Sequence, residues 1–80
     1  MQDQDVLTTI NRLAEEEHQL FQKESQGTID EEERTRLRDI EVRLDQCWDL
    51  LHQRRARRSA GLDPDDAQTR PPGVVENYVD

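Results

Sequence analysis

The hydrophobic positions of the chain recur every three or four residues in two long stretches, which is the spacing of an amphipathic helix. The clearer stretch lies between residues 37 and 58, and its apolar positions are Leu37, Ile40, Leu44, Cys47 and Leu51. The other lies between residues 3 and 24, and its apolar positions are Val6, Ile10, Leu13, Leu20 and Phe21. The pattern predicts two helices, each with an apolar stripe that needs a partner, and Asp3 or Asp5 as the cap of the first.

A tight turn centred on Gly27 is predicted between the two helices. Glycine adopts without a clash the left-handed conformation that ends many helices. After it, either Thr28 with Glu31 or Asp30 with Glu33 can form a capping box. Both alternatives begin the second helix within two residues of each other.

The predicted fold is therefore all-α, with helices over about residues 3–24 and 30–59 that pair as an antiparallel hairpin. Residues 1–60 form this hairpin and residues 61–80 form a C-terminal tail. Because the second helix is longer, its basic end is expected to project beyond the first helix.

The tail is expected to be partly ordered. Asp63 followed by Pro64 is a typical helix start, and predicts a short helical turn that the prolines at residues 71 and 72 end. Four apolar residues follow, and whether they dock on the hairpin or stay disordered is open: Val74, Val75, Tyr78 and Val79.

The chain is poorly equipped to bury a core. It has 80 residues, of which 31% are hydrophobic and 38% are charged, against the roughly 45–50% apolar and about 25% charged content of ordinary globular proteins. Chains this short seldom stabilise a core unaided. We therefore expect a homodimer in which two hairpins form a four-helix bundle. Glu17 interrupts the first stripe, and we expect it to lie at the rim or to pair with Arg34 or Arg38 rather than to be a functional carboxylate.

The second helix ends in a basic cluster, Arg54, Arg55, Arg57 and Arg58. These arginines could bind the phosphates of a nucleic acid. Alternatively, they complement the helix dipole and pair with acids of a neighbouring subunit or of residues 63–66. We favour the second interpretation, since four arginines are few for a nucleic-acid binder and the net charge of −8 opposes such binding over the whole surface.

Cys47 and Trp48 lie just before this basic cluster. A buried packing role is expected for Cys47, because the chain has no second cysteine. Trp48 is the best candidate for a dimer anchor, since aromatic residues dominate interface energies, and Tyr78 is a weaker one. The predicted interface consists of Cys47, Trp48, Leu51, Arg54, Arg55 and Arg58.

Two pairs, Glu15 with His18 and Asp49 with His52, have the spacing found in di-metal helical bundles. In one hairpin they would lie roughly 20 Å apart, at ~1.5 Å per residue, so chance is the better explanation. No phosphate loop, nucleophile elbow or zinc-ligand spacing is present. We expect neither enzyme activity nor a metal or cofactor.

Residues 44–58, which read LDQCWDLLxQRRARR, resemble a family of small uncharacterised actinobacterial proteins classed as a domain of unknown function. The similarity extends to residues 16–18, 63–65 and 74–76. The resemblance implies a bacterial cytosolic protein and carries no activity. The residues themselves favour a cytoplasmic, non-enzymatic interaction or regulatory module, with a nucleic-acid accessory protein as the alternative. The N-terminus also predicts no signal peptide, and no stretch is long and apolar enough to span a membrane.

Overall fold

A computed structural model describes residues 2–76 of the chain, and within that range all regular structure is helical. Helix α1 spans Asp3–Gln26 and helix α2 spans Glu31–Ser59. A 3-10 turn at Pro64–Asp66 and the short helix α3 at Pro72–Glu76 follow. The predicted all-α class and the two long helices are confirmed. No helix in the described range has the length and apolarity needed to cross a membrane.

The turn between the long helices forms at Gly27, as predicted. Gly27 lies in the left-handed region with a φ of 72°, and the Thr28 N–H donates to the Lys23 carbonyl at 2.9 Å. Of the two candidate capping boxes, the one between Asp30 and Glu33 forms. The Asp30 carboxylate accepts from the Glu33 N–H at 2.8 Å, and Glu33 accepts from the Asp30 N–H at 3.1 Å. The chain therefore reverses direction through well-satisfied helix ends.

Helix α1 begins at Asp3, as predicted, and of the two candidate carboxylates Asp5 caps a free backbone amide. Gln2 occupies the cap position, and its N–H donates to the Asp5 carboxylate at 3.1 Å. Asp3 is the first residue of the helix, so its carboxylate does not cap the helix. It binds the far end of α2 instead.

The hydrophobic core lies between α1 and α2, with Ile40 fully buried at its centre. Both stripes contribute to the cluster, which consists of Val6, Ile10, Leu13, Leu20, Leu37, Ile40, Leu44, Leu50 and Leu51. The prediction was wrong for Phe21, which is 43% exposed. Leu20 and Phe21 are adjacent, and neighbouring positions on a helix point about 100° apart, so only Leu20 faces α2. Glu17 is half-buried at the rim of the interface.

Ion pairs fix the register of the two helices. Glu16 receives two hydrogen bonds from the Arg36 guanidinium, at 2.7 and 2.8 Å, and Lys23 pairs with Glu33 nearer the turn. The Arg36 guanidinium lowers the pKa of Glu16. These pairs are exposed and contribute little energy each, but they require one antiparallel alignment.

The described part of the tail docks on α2. The predicted short turn is present at Pro64–Asp66, and Val75 is buried. Two side-chain amides of α2 bind tail carbonyls: Gln46 Nε2 donates to the Arg70 carbonyl at 3.1 Å and Gln53 Nε2 to the Gln68 carbonyl at 2.8 Å. The question left open by the sequence is thereby answered for residues up to 76. Tyr78 and Val79 lie outside the described residues.

Candidate interaction surfaces

The basic end of α2 is bound to acids of its own chain. Arg54 is only 5% exposed. Its Nε donates to Asp3 Oδ1 at 2.6 Å, and its Nη1 donates to Asp65 Oδ1 at 3.0 Å and to the Pro64 carbonyl at 3.2 Å. This one guanidinium therefore joins the start of α1, the end of α2 and the tail.

Neighbouring arginines extend the same network. Arg58 donates to both Asp3 oxygens, at 2.6 and 3.1 Å. Hydrogen bonds from Arg58 and then Arg54 lower the pKa of Asp3 to about 2. Arg57 donates to the Asp63 carbonyl at 2.6 Å. Arg55 is exposed and has no ion pair within residues 2–76. The structure thus agrees with pairing to residues 63–66, and it adds Asp3 as the central acid.

Asp49 anchors the tail from the middle of α2. It is 7% exposed, and its Oδ2 accepts from Arg70 Nε and from Gln53 Nε2, each at 2.9 Å. A second Arg70 nitrogen bonds the other carboxylate oxygen. The hydrogen bonds from Arg70 lower the pKa of Asp49, although burial opposes the shift. Because both oxygens of this buried carboxylate accept hydrogen bonds within the chain, Asp49 stabilises the folded structure.

The tail lies along one long face of the hairpin, where a groove separates the two helices. This groove has a volume of about 210 Å³. It is lined by Val6, Thr9, Arg12, Leu13, Arg43, Gln46, Cys47, Leu50 and Thr69. Cys47 is half-buried, and burial raises the pKa of its thiol. The thiol is therefore protonated near neutral pH, which suits the packing role predicted for it.

The opposite face of the hairpin carries exposed apolar side chains. Leu7 is two residues before Thr9, and Trp48 is two residues after Gln46; a two-residue step is about 200° around a helix. Since Thr9 and Gln46 face the tail-side groove, Leu7 and Trp48 lie on the other side. They are 38% and 47% exposed.

These two side chains also lie at similar heights along the hairpin. The ion pair between Asp3 and Arg54 aligns the two helices. Counted from this pair towards the turn, Leu7 is four residues after Asp3 on α1, and Trp48 is six residues before Arg54 on α2. Along α1, exposed residues continue the surface at seven-residue intervals. We call this surface the Trp48 face and define it as Leu7, Ala14, Phe21 and Trp48.

The predicted interface residues do not form one surface. Trp48 and Arg55 are exposed, whereas Cys47 borders the tail-side groove. Leu51 and Arg54 are buried within the chain, so neither offers a surface to a partner. Helical periodicity explains the division, because consecutive residues 47 and 48 point to opposite sides of the core stripe.

One member of each candidate metal pair contacts another side chain of the same chain. His18 Nε2 lies 3.3 Å from Gln22 Nε2, and Asp49 is bound to Arg70 and Gln53. Among residues 2–76, no group of three or more histidine, cysteine, aspartate or glutamate side chains is placed to hold a metal ion.

Sequence reasoning missed the Trp48 face on α1. Leu7, Ala14 and Phe21 repeat every seven residues, and this repeat is visible in the sequence. It was obscured because Phe21 was assigned to the core stripe beside Leu20. Asp3 was also missed as a binding partner, because it was considered only as a helix cap.

Comparison with known proteins gives relatives but no activity. A family profile described as "Protein of unknown function (DUF2630)" matches residues 2–80. Over 78 residues the chain is 49% identical to uncharacterized proteins of Mycobacterium bovis and Mycobacterium tuberculosis, a match that covers 96% of this chain and 90% of each relative. No solved structure matches the chain. The predicted family relationship is confirmed.

Proposed function

We propose that the chain, which belongs to the family of unknown function DUF2630, is a non-enzymatic interaction module. In this proposal it pairs with a second copy of itself through the Trp48 face. One observation carries the proposal. The tail docks on α2 at one side of the hairpin, whereas three large apolar side chains on the other side, Leu7, Phe21 and Trp48, stay 38–47% exposed. Leu7 and Trp48 lie side by side, and Phe21 continues the same face about 21 Å along α1 at ~1.5 Å per residue, so exposed apolar groups run along the surface that a partner would cover.

The size of the face suits a second copy. Helix α1 has 24 residues and is therefore about 36 Å long at ~1.5 Å per residue. Two helices packed about 10 Å apart present a surface of roughly 36 by 20 Å, or about 700 Å². Stable protein interfaces bury about 800 Å² on each partner. One hairpin face is thus close to the area that a dimer needs.

The charge distribution favours an antiparallel arrangement of the two copies. The turn end of the hairpin carries exposed acids, including Glu24, Glu31 and Glu32, whereas Arg55 is exposed at the other end. A twofold axis across the middle of the Trp48 face places Arg55 of each copy near the acidic turn end of its partner. Such an interface uses the same surface on both copies, as in most homodimers.

Binding of nucleic acid has less support than pairing with protein. Three of the four arginines that would bind phosphate are engaged with acids or carbonyls of the same chain, as described above. Arg55 alone is exposed without an ion pair in the described range. We also propose a cytoplasmic location, since the single Cys47 has no partner for an intrachain disulfide.

Fluorescence of Trp48 tests the proposed surface, since it is the only tryptophan of the chain. If two copies cover the Trp48 face, acrylamide should quench Trp48 weakly in concentrated protein and strongly after dilution. The variant Phe21→Ala should shift this transition to higher concentration, because it shortens the apolar stripe. The control Leu62→Ala, which alters an exposed leucine of the tail, should not. Quenching that is strong and independent of concentration would reject the Trp48 face as a dimer surface.

A further inference from the structure

The tail-side groove has the properties of a small-ligand site. We propose that it binds a short amphipathic carboxylate, which is a single carboxylate on an alkyl or aryl body. This site lies on the opposite side of the hairpin from the Trp48 face, so it is independent of the proposed dimer.

The interior of the groove is apolar. Its base is formed by Val6, Leu13 and Leu50, three side chains of the core, with Cys47 beside them. The volume of about 210 Å³ equals the space of roughly seven water molecules at about 30 Å³ each. Pockets for drug-sized ligands have volumes of about 300–1,000 Å³, so this smaller groove suits a short chain or a single ring.

Two arginines flank this apolar base from opposite walls, Arg12 on α1 and Arg43 on α2. Arg12 has no hydrogen bond or ion pair within residues 2–76. Arg43 donates its Nε to Asp39 at 3.0 Å, and its terminal nitrogens have no hydrogen-bond partner in that range. Two positive groups face one groove in a chain with a net charge of −8. A carboxylate bound in the groove would match the forked geometry of guanidinium donors.

Neighbouring acids neutralise this pair only in part, since Asp39 binds Arg43 through one nitrogen and Glu16 attracts Arg12 without a hydrogen bond to it. Glu16, one turn from Arg12, is bound by two nitrogens of Arg36. Asp39 is shared between Arg36 and Arg43. Burial raises the pKa of the Cys47 thiol above a usual value that already lies above neutral pH, so it adds no negative charge beside the ligand. The two arginines therefore favour a ligand with a negative charge, and the apolar base of the groove favours a ligand whose remaining part is apolar.

A titration of the full-length, ¹⁵N-labelled protein with sodium octanoate, followed by amide chemical shifts, tests the proposal. Saturable shifts are expected at the groove residues, with a Kd of about 0.1–1 mM for so small a ligand. The double variant Arg12→Gln with Arg43→Gln should weaken binding at least tenfold. The control Arg34→Gln with Arg38→Gln removes the same charge away from the groove and should leave the Kd unchanged.

A second probe separates charge from hydrophobicity. Octanamide has the same body as octanoate without the charge, and it should bind at least tenfold more weakly. The variant Thr9→Trp should block octanoate by filling the groove while the arginines remain, with circular dichroism as the check on folding. Equal binding of the two probes, equal binding by the Arg12 and Arg43 double variant, or no saturable binding of octanoate would overturn the proposal.

Discussion

Arg54 donates its Nε–H to the carboxylate of Asp3 at 2.6 Å, although 51 positions separate the two residues in sequence. The same guanidinium holds Asp65 of the tail. The basic end of α2, which the sequence suggested as a surface for partners, is thus a junction inside one chain. The tail docks on α2 at one side of the hairpin, and the Trp48 face on the other side stays bare.

The substitution Arg54→Gln tests this junction. It should lower the Tm by several degrees, because it removes a buried guanidinium that joins the start of α1 to α2 and the tail, and it leaves Asp3 with fewer donors. Arg12→Gln is the control, since it removes the same charge at an exposed position that lies outside the junction and away from the Trp48 face. Thermal unfolding followed by circular dichroism measures both. Equal Tm values for the two variants would contradict the junction.

Stability should fall in acid. The folded-state pKa of Asp3, about 2, lies below its ordinary value of 3.8, so the folded protein binds fewer protons than the unfolded chain between these values. Stability that is complete above about pH 4 is therefore lost as the pH falls towards about 2. Asp49 and Glu16 are shifted in the same direction.

Urea unfolding across this pH range, at fixed protein concentration, measures the effect. The variant Asp3→Asn should be less stable at neutral pH and should lose less stability in acid than the unaltered protein. A loss in acid that is the same in both proteins would mean that Asp3 gains no stabilising partner on folding.

A double-mutant cycle of Asp49→Ala and Arg70→Ala measures how strongly the tail is anchored. The coupling free energy should be about 1–2 kcal/mol, because Asp49 is buried while the Arg70 side chain is 39% exposed and partly screened by water. The exposed pair Asp39 and Arg43 is the control, with a coupling of less than about 0.5 kcal/mol. Equal coupling in the two cycles would show that Asp49 does not anchor the tail.

Gly27→Ala tests the turn. The φ of 72° disfavours any residue with a Cβ, so the variant should be destabilised by roughly 1 kcal/mol. The cost is conformational, since an added Cβ meets no atom within 4 Å. Gly73→Ala, where the φ is not positive and space is also open, should change the unfolding free energy by much less. Chemical denaturation compares the two, and equal losses would argue against strain at Gly27.

The all-helical hairpin could be predicted because its signals are local. Three- and four-residue spacing identified the core residues around Ile40, and glycine at position 27 identified the turn. The long-range contacts of Asp3 and Asp49 could not be predicted, since each carboxylate had several arginines available and only the folded register selects among them. Phe21 was misassigned because Leu20 and Phe21 both fit an apolar stripe, and only the position of α2 decides between them.

Sedimentation equilibrium of the full chain tests the central claim, which is that the bare face of the hairpin is covered by a second copy. At micromolar concentration the unaltered protein should have about twice the 9.4 kDa mass of one chain. Trp48→Ala should shift the equilibrium towards the monomer while its circular dichroism stays helical. A single 9.4 kDa species at all concentrations, or a dimer that Trp48→Ala leaves unchanged, would contradict the account.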